Sequence, residues 1–259
     1  MAYLDDKVAL VTGAGSGIGR AIAIKLAEHG ADVAVAYGHN EANARGTAKM
    51  IESLGRRSMV VLADVTDAGA ISEMVQSVLG EWERIDILVN NAGIFREAAF
   101  LDSSEADWDD VLDVNLKGPF LCAQAVGRHM VERGGGGKVI NIGSIDGTGV
   151  ALGICSYAVA KMGLVQLTRV AALELAPYGI RVNTVSPGSI ATGMGLAEEG
   201  TAEHDRYLEQ IRREVPLGRM GKGEEVADLV VFLASSQGDY ITGSEFVIDG
   251  GVLLRPYTI

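Results

Sequence analysis

The chain has 259 residues, of which 48% are hydrophobic and 22% charged, the balance of a globular protein large enough to bury a full core without disulfide or metal staples. Its 22 basic and 34 acidic side chains leave a formal charge of −12, a field that repels phosphate backbones and anionic lipid and argues against nucleic-acid and membrane partners. No apolar run reaches the roughly 18 residues of a bilayer span, and Met1–Lys7 is too short and acidic for a secretory signal, so the expected compartment is cytoplasmic.

Val8 to Val11 is a short apolar run that ends in a glycine-rich loop, Thr12-Gly13-Ala14-Gly15-Ser16-Gly17-Ile18-Gly19-Arg20. Residues 18–28 then carry Ile18, Ala21, Ile22 and Leu26 at helical spacing. Asp32 to Ala36 reads as a second strand, 41–54 as a second helix and Ser58 to Leu62 as a third strand. Ile71, Met74, Val75 and Val78 mark one face of a helix over 67–80, and Ile87 to Val89 is the fourth strand. A long helix is predicted over 105–133, a strand over Lys138 to Ile142, a helix over 155–177 and a strand over Ile180 to Ser186. Helices over 200–214 and 224–234 precede a last strand, Glu245 to Ile248. Continuous apolar strands alternating with helices predict a parallel sheet covered on both faces, hence an α/β, Rossmann-like doubly wound fold. Gly134 to Gly137 forms a turn rather than a linker, and no repeat divides the chain, so a single domain over 1–259 is expected.

Between a strand and a helix, the glycine loop has the context that phosphate binding needs. Glycines let the backbone turn tightly and approach a pyrophosphate, and the helix N-terminus offers unpaired N–H groups with a partial positive charge. Tyr157 and Lys161 lie four residues apart and so share one helix face, with an axial offset of about 6 Å. An ammonium beside a phenol favours the phenolate, so Lys161 is expected to lower the Tyr157 pKa and suit it to acid–base work. The two cysteines, Cys122 and Cys155, have no paired spacing; neither a disulfide framework nor a metal site is expected, and Cys155 reads as a small apolar filler.

Further motifs follow the loop in order. The spacing Gly13-xxx-Gly17-x-Gly19 has the form TGxxxGxG; then come Asp64-Val65, Asn90-Asn91-Ala92-Gly93, Asn115, Ser144, Tyr157-xxx-Lys161, Pro187-Gly188 and Thr192. With these motifs the chain resembles the short-chain dehydrogenase/reductase family over nearly its whole length, including members that reduce 3-oxoacyl groups on acyl carrier protein and members that oxidise glucose. The resemblance implies an NAD(P)-dependent oxidoreductase that moves a hydride between the nicotinamide and a carbonyl or secondary alcohol. It assigns Tyr157 as general acid/base, Lys161 to the phenol and the nicotinamide ribose, and Ser144 to the substrate oxygen. Asn115 would order a water linking Lys161 to solvent and widen its helix locally. Gly13, Ser16, Gly17, Ile18 and Gly19 would cradle the dinucleotide. Asp64 would bond the adenine amino group beside the Val65 backbone, with a helix cap as its alternative use, for which Thr66 or Asp67 is better placed. Asn91, Ala92 and Gly93 would pass under the adenosine ribose, while Asn90 ties strands together. Pro187, Gly188, Ile190 and Thr192 would border the nicotinamide.

The choice of cofactor falls at the end of the second strand, where NAD enzymes place an acid for the ribose 2′-hydroxyl. Here the residues are Tyr37-Gly38-His39-Asn40. Tyr37 and Asn40 are expected to contact the cofactor, and an uncharged site does not exclude a 2′-phosphate, so NADP is favoured over NAD. Glu41 is the nearby carboxylate that could reverse this.

Residues 189–220 are expected to form a lid over a small-molecule substrate, with Gly193 and Gly195 as hinges and Met194 and Leu196 on its apolar underside. Ile94, Phe95, Arg96, Ile145 and Ile154 are further wall candidates. Asp146 and Arg96 could recognise hydroxyls or a carboxylate; Asp146 could instead cap a turn at Asp146-Gly147. The acidic balance places a sugar, polyol, steroid-like or simple ketone level with a 3-oxoacyl thioester. The resemblance implies subunits paired through the small-residue helix over 155–177 and, on another axis, through the last strand and the C-terminal tail; with the apolar Leu253, Leu254, Pro256 and Tyr257 in that tail, a homotetramer is expected. The competing reading is a non-catalytic NAD(P)-binding sensor or scaffold on the same fold.

Overall fold

Val8, Ala9, Leu10 and Val11 of strand β1 (Val8–Val11) are all buried, as a central strand covered on both faces must be. Around it, in a computed structural model that describes residues 3–192 and 201–254, lie β2 (Asp32–Tyr37), β3 (Ser58–Leu62), β4 (Ile87–Asn90), β5 (Gly137–Ile142), β6 (Ile180–Pro187) and β7 (Glu245–Ile248). They form one parallel sheet in the order β3-β2-β1-β4-β5-β6-β7. Val8 pairs with Asp32 on one side, and Ala9 with Ile87 on the other. The strand order reverses between β1 and β4, so the loops leaving them part to opposite faces and open a crevice at the C-terminal edge.

Two apolar layers hold the helices to the sheet. On one face α1 (Gly17–Glu28), α2 (Glu41–Ser53) and α8 (Gly223–Ala234) contribute Ile22, Leu26, Ile51, Val226 and Val230 against Val33 and Val89. On the other, α3 (Ala68–Trp82), α5 (Gly118–Arg133) and α6 (Cys155–Leu175) contribute Ile71, Met74, Val126, Met130 and Ala172 against Leu10, Leu88 and Val182. The expected doubly wound α/β fold in one domain is the fold observed. Buried polar groups pair across it: Asn90 Nδ2 donates to Asn141 Oδ1 at 2.8 Å, Asn141 Nδ2 to Thr168 Oγ1 at 2.8 Å, and Thr168 and Thr184 hydroxyls meet at 2.7 Å. Asn90 thus does tie strands together.

The sequence boundaries shift in three places. The single helix expected over 105–133 is α4 (Glu105–Leu112), a wide π turn over Asp113–Lys117, and then α5. The helix expected over 155–177 stops at Leu175, and Pro177 sits in a 3₁₀ turn over Ala176–Tyr178 because proline cannot continue the α ladder. The helix over 200–214 is α7 (Ala202–Glu214). Among the described residues no helix is long and apolar enough to cross a membrane, and no group of three or more His, Cys, Asp or Glu is placed to hold a metal.

Candidate active site

The loops after β1 and β4 are stitched together. Thr12 Oγ1 accepts the N–H groups of Asn91 and Ala92 at 3.0 and 3.1 Å, and Asn91 Nδ2 donates back to the Thr12 and Gly13 carbonyls at 3.0 and 3.2 Å. Gly13 takes φ +64°, and a Cβ there would lie 2.9 Å from Ala92 Cα, so both its conformation and its space demand glycine. The helix that follows has no acidic residue in its first turn, and its N-cap Ser16 makes no side-chain cap bond. Its first N–H groups therefore face the crevice without a side-chain cap, the arrangement that suits a phosphate. Arg20 Nε bonds Thr47 Oγ1 at 3.2 Å, anchoring this turn to α2.

A cleft of about 870 Å³ runs from this turn along the sheet edge. At one end it is lined by Tyr37, Gly38, His39, Asp64 and Val65, in the middle by Gly13, Ser16, Gly17, Ile18, Gly19, Asn91, Ala92 and Gly93, and at the other end by Asn115, Ser144, Asp146, Tyr157 and Lys161. Pro187, Gly188, Ile190 and Thr192 close it from β6. Asn40 does not line it: its side chain accepts the Asn43 N–H at 3.0 Å and caps α2, so the expected cofactor contact at Asn40 is corrected. Glu41 is ion-paired with Arg45 one helical turn on. Asp64 accepts from the Thr66 N–H at 2.9 Å and the Thr66 hydroxyl at 2.8 Å. Those two bonds hold its carboxyl below the usual range against the cost of burial, with the His39 charge assisting. Asp67, not Asp64, caps α3, accepting from Gly69 and Ala70. Met194 lies outside the described residues, as do Gly193, Gly195 and Leu196.

At the far end Asn115 is fully buried, with both of its amide N–H donors used. Its Nδ2 donates to the Ile94 carbonyl at 2.8 Å and the Val111 carbonyl at 3.0 Å, and its Oδ1 accepts the Ile94 N–H at 3.2 Å. These bonds fasten the loop after β4 to the π turn, which is the local widening expected at Asn115. Lys161, also buried, donates from Nζ to the Ile142 carbonyl at 2.8 Å. Burial pushes its pKa down to about 8, because a lone ammonium is costly in an apolar surround. Ser144 donates from Oγ to Asp146 Oδ2 at 3.0 Å and accepts the Asp146 N–H at 3.1 Å. The turn at Asp146-Gly147 is therefore capped by Ser144, not by Asp146.

The half-buried Tyr157 packs edge-on against Phe95, with ring centroids 5.3 Å apart. Burial pushes its phenol up to about 12, a hydrogen bond with Ser144 pulls the other way, and the Asp146 charge adds to the rise. Lys161 Nζ stands 5.5 Å from the Tyr157 ring centre but is committed to Ile142. The expected lowering of the phenol by Lys161 is not seen among the protein's own groups: desolvation and the Asp146 charge prevail over Ser144, and burial disfavours the Lys161 charge. Two wall candidates are also corrected. Arg96 turns outward, donating to the Phe95 carbonyl and lying 3.6 Å from Asp107, and Ile154 is buried outside the cleft lining. Glu97 and Tyr207 line the cleft although no sequence pattern singles them out; Glu97 arrives on the loop after β4 and Tyr207 on α7.

The chain is similar to known proteins over nearly its whole length. The family described as Enoyl-(Acyl carrier protein) reductase matches residues 13–253. A 3-oxoacyl-[acyl-carrier-protein] reductase FabG of Staphylococcus aureus is 40% identical over 248 residues, covering 96% of this chain and 98% of that one. A short-chain type dehydrogenase/reductase from Mycobacterium marinum superposes with a TM-score of 0.91 at 39% identity, covering 97% of each chain. Acetoin dehydrogenase YohF from Salmonella typhimurium superposes with a TM-score of 0.87 at 36% identity, covering 98% of each. The chain belongs to the short-chain dehydrogenase/reductase family and is an NAD(P)-dependent oxidoreductase that transfers a hydride between the nicotinamide and a carbonyl or alcohol carbon.

Proposed function

We propose that the cleft takes NADP(H) in preference to NAD(H), with its pyrophosphate at the glycine loop and its nicotinamide beside Tyr157, and reduces a small ketone there. What carries this reading is that one continuous cleft joins the α1 N-terminus to Ser144, Tyr157 and Lys161. A sensor needs the first half alone, so this union favours catalysis over the non-catalytic alternative. The cofactor, when bound, supplies or accepts the hydride. Every other task falls to the chain. Tyr157 gives the carbonyl oxygen its proton as the alcohol forms and takes it back in the reverse direction. Ser144 holds that oxygen as charge develops on it, Lys161 reaches the ribose and restores positive charge near the phenol, and Asn115 supports the relay that resupplies the proton. The fit is physical: the α1 N-terminus lacks acids and a side-chain cap, and the glycine loop leaves room for a diphosphate.

The preference for the 2′-phosphate rests on Tyr37, Gly38 and His39 lining the end of β2 without a carboxylate and on Glu41 being taken by Arg45. The segment over 189–220 serves as the lid, its base tied by the Ala191 N–H to the Gly221 carbonyl at 2.9 Å. Substrates on this reading are a 3-oxoacyl thioester, as named for the Staphylococcus relative, or a sugar, polyol or simple ketone, nearer the acetoin named for the Salmonella one. The enzyme works in the cytoplasm as a homotetramer. Initial rates with NADPH and NADH on a common ketone test the cofactor reading: at least tenfold higher kcat/KM with NADPH is expected, and a preference for NADH overturns it.

A further inference from the structure

Ser144 has one hydroxyl proton, and in this structure that proton is already spent. It goes to Asp146 Oδ2 at 3.0 Å, while Oγ accepts the Asp146 N–H at 3.1 Å. Tyr157 lines the same end of the cleft as Ser144 and Asp146. The Ser144 proton therefore ends on Asp146, a carboxylate with acceptor capacity only. For Ser144 to hold a substrate carbonyl oxygen, it must turn its proton away from Asp146. That strips the half-buried carboxylate of a side-chain donor inside a cleft from which a bound substrate excludes water, a costly loss. Neither cation of the neighbourhood is placed to repair it: Lys161 makes no ion pair with Asp146 among the described residues, its ammonium donating to the Ile142 carbonyl, and Arg96 lies outside the lining, beside Asp107.

A substrate can repair the loss itself if it carries a donor beside its carbonyl. We propose that Asp146 is a specificity-determining residue that selects carbonyl compounds bearing a hydroxyl on the adjacent carbon, and the matching vicinal diols in the reverse direction. The carbonyl oxygen takes the Ser144 proton while the neighbouring hydroxyl replaces that proton on Asp146. A 3-oxoacyl thioester, which carries no donor on the carbons flanking its ketone, leaves Asp146 short and is disfavoured. Glu97, the other carboxylate at this end of the cleft, adds to the discrimination against anionic substrates. The inference rests on the proposed reductase chemistry of the same cleft.

Three ketones of one skeleton separate the possibilities: 3-hydroxybutan-2-one, 3-methoxybutan-2-one and butan-2-one. The methoxy compound retains the electron-withdrawing oxygen but has no proton to donate. With the cofactor-loaded wild-type enzyme, kcat/KM for the hydroxyketone is expected to exceed that for the methoxyketone by about ten- to hundredfold, the worth of a hydrogen bond to a charged group. Asp146→Ala should bring the two within about threefold of each other, with cofactor affinity unchanged as the check on folding. Equal rates for the hydroxy and methoxy compounds in the wild type overturn the proposal without any variant, as does a preference that survives in a folded Asp146→Ala. Turnover that ignores the donor sinks this inference alone; no oxidation of NADPH or NADH with any of the three sinks the reductase reading beneath it as well.

Discussion

Tyr157 and Lys161 are both held in their protonated forms at neutral pH, for opposite reasons. Burial raises the phenol to about 12, and the same dryness lowers the ammonium only to about 8. The protein's own groups thus leave Tyr157 ready to give a proton rather than take one. Because the Lys161 pKa is depressed, its positive charge is complete below pH 8 and lost as pH rises through that value. The kcat/KM for ketone reduction should accordingly fall along an alkaline limb near pH 8, and Lys161→Ala should lose that limb as well as rate; an unchanged limb removes Lys161 from the ionisation. Tyr157→Phe keeps the ring against Phe95 and deletes the proton. It should bind NADPH within about threefold of wild type and lose about 10²- to 10⁴-fold in turnover. Near-normal turnover in Tyr157→Phe would rule that phenol out as the acid.

Between elements, a few polar residues do the fastening. Asp86 receives the Val8 N–H at 3.0 Å, Arg84 at 2.7 and 2.8 Å and Arg133 at 2.9 Å, joining β1, β4 and α5. Burial works against its charge, yet Arg84, the Val8 N–H and Arg133 outweigh it and hold the carboxyl below 3.8. The stability from this lowered pKa is present above about pH 4, and is lost as pH falls through the folded-state value. Asp86→Asn should cost about 2 kcal/mol in urea unfolding at neutral pH, having left two arginines short of a charge, and should flatten the acid limb of stability against pH. At α3, Asp67→Ala should cost about 1 kcal/mol by uncapping the helix. Helix existence was readable at this scale because burial repeats every 3.6 residues, as Ile71, Met74, Val75 and Val78 show. The π turn at Asp113–Lys117 was not readable from periodicity and was expected only from the family resemblance at Asn115, since it goes with bonds that Asn115 makes to Ile94, a residue distant in sequence.

Across the whole molecule, the charge of −12 coexists with exposed apolar side chains. Val159, Met162, Val170 and Leu173 form one stripe along α6, and Phe100 and Leu101 stand 76% and 91% exposed, more contiguous apolar surface than a solitary chain carries without cause. Sedimentation should give a species near four times 27.2 kDa, and Leu173→Glu should shift it to a smaller one. A single-chain species in the wild type would end the tetramer reading.

What the amino-acid order determined by itself was local and periodic. Strand and helix alternation, the cap at Asp67, the turn chemistry of the glycine loop and the spacing of Tyr157 and Lys161 all depend on neighbours within a few positions. The tertiary structure alone decided where long side chains are aimed and what dielectric surrounds them. It turned Arg96 out to Asp107, spent Asn40 on α2, brought Glu97 and Tyr207 to the cleft, bonded Lys161 to Ile142 and raised the Tyr157 phenol instead of lowering it. Desolvation and hydrogen-bond partnership are sums over residues far apart in sequence, and no spacing rule contains them.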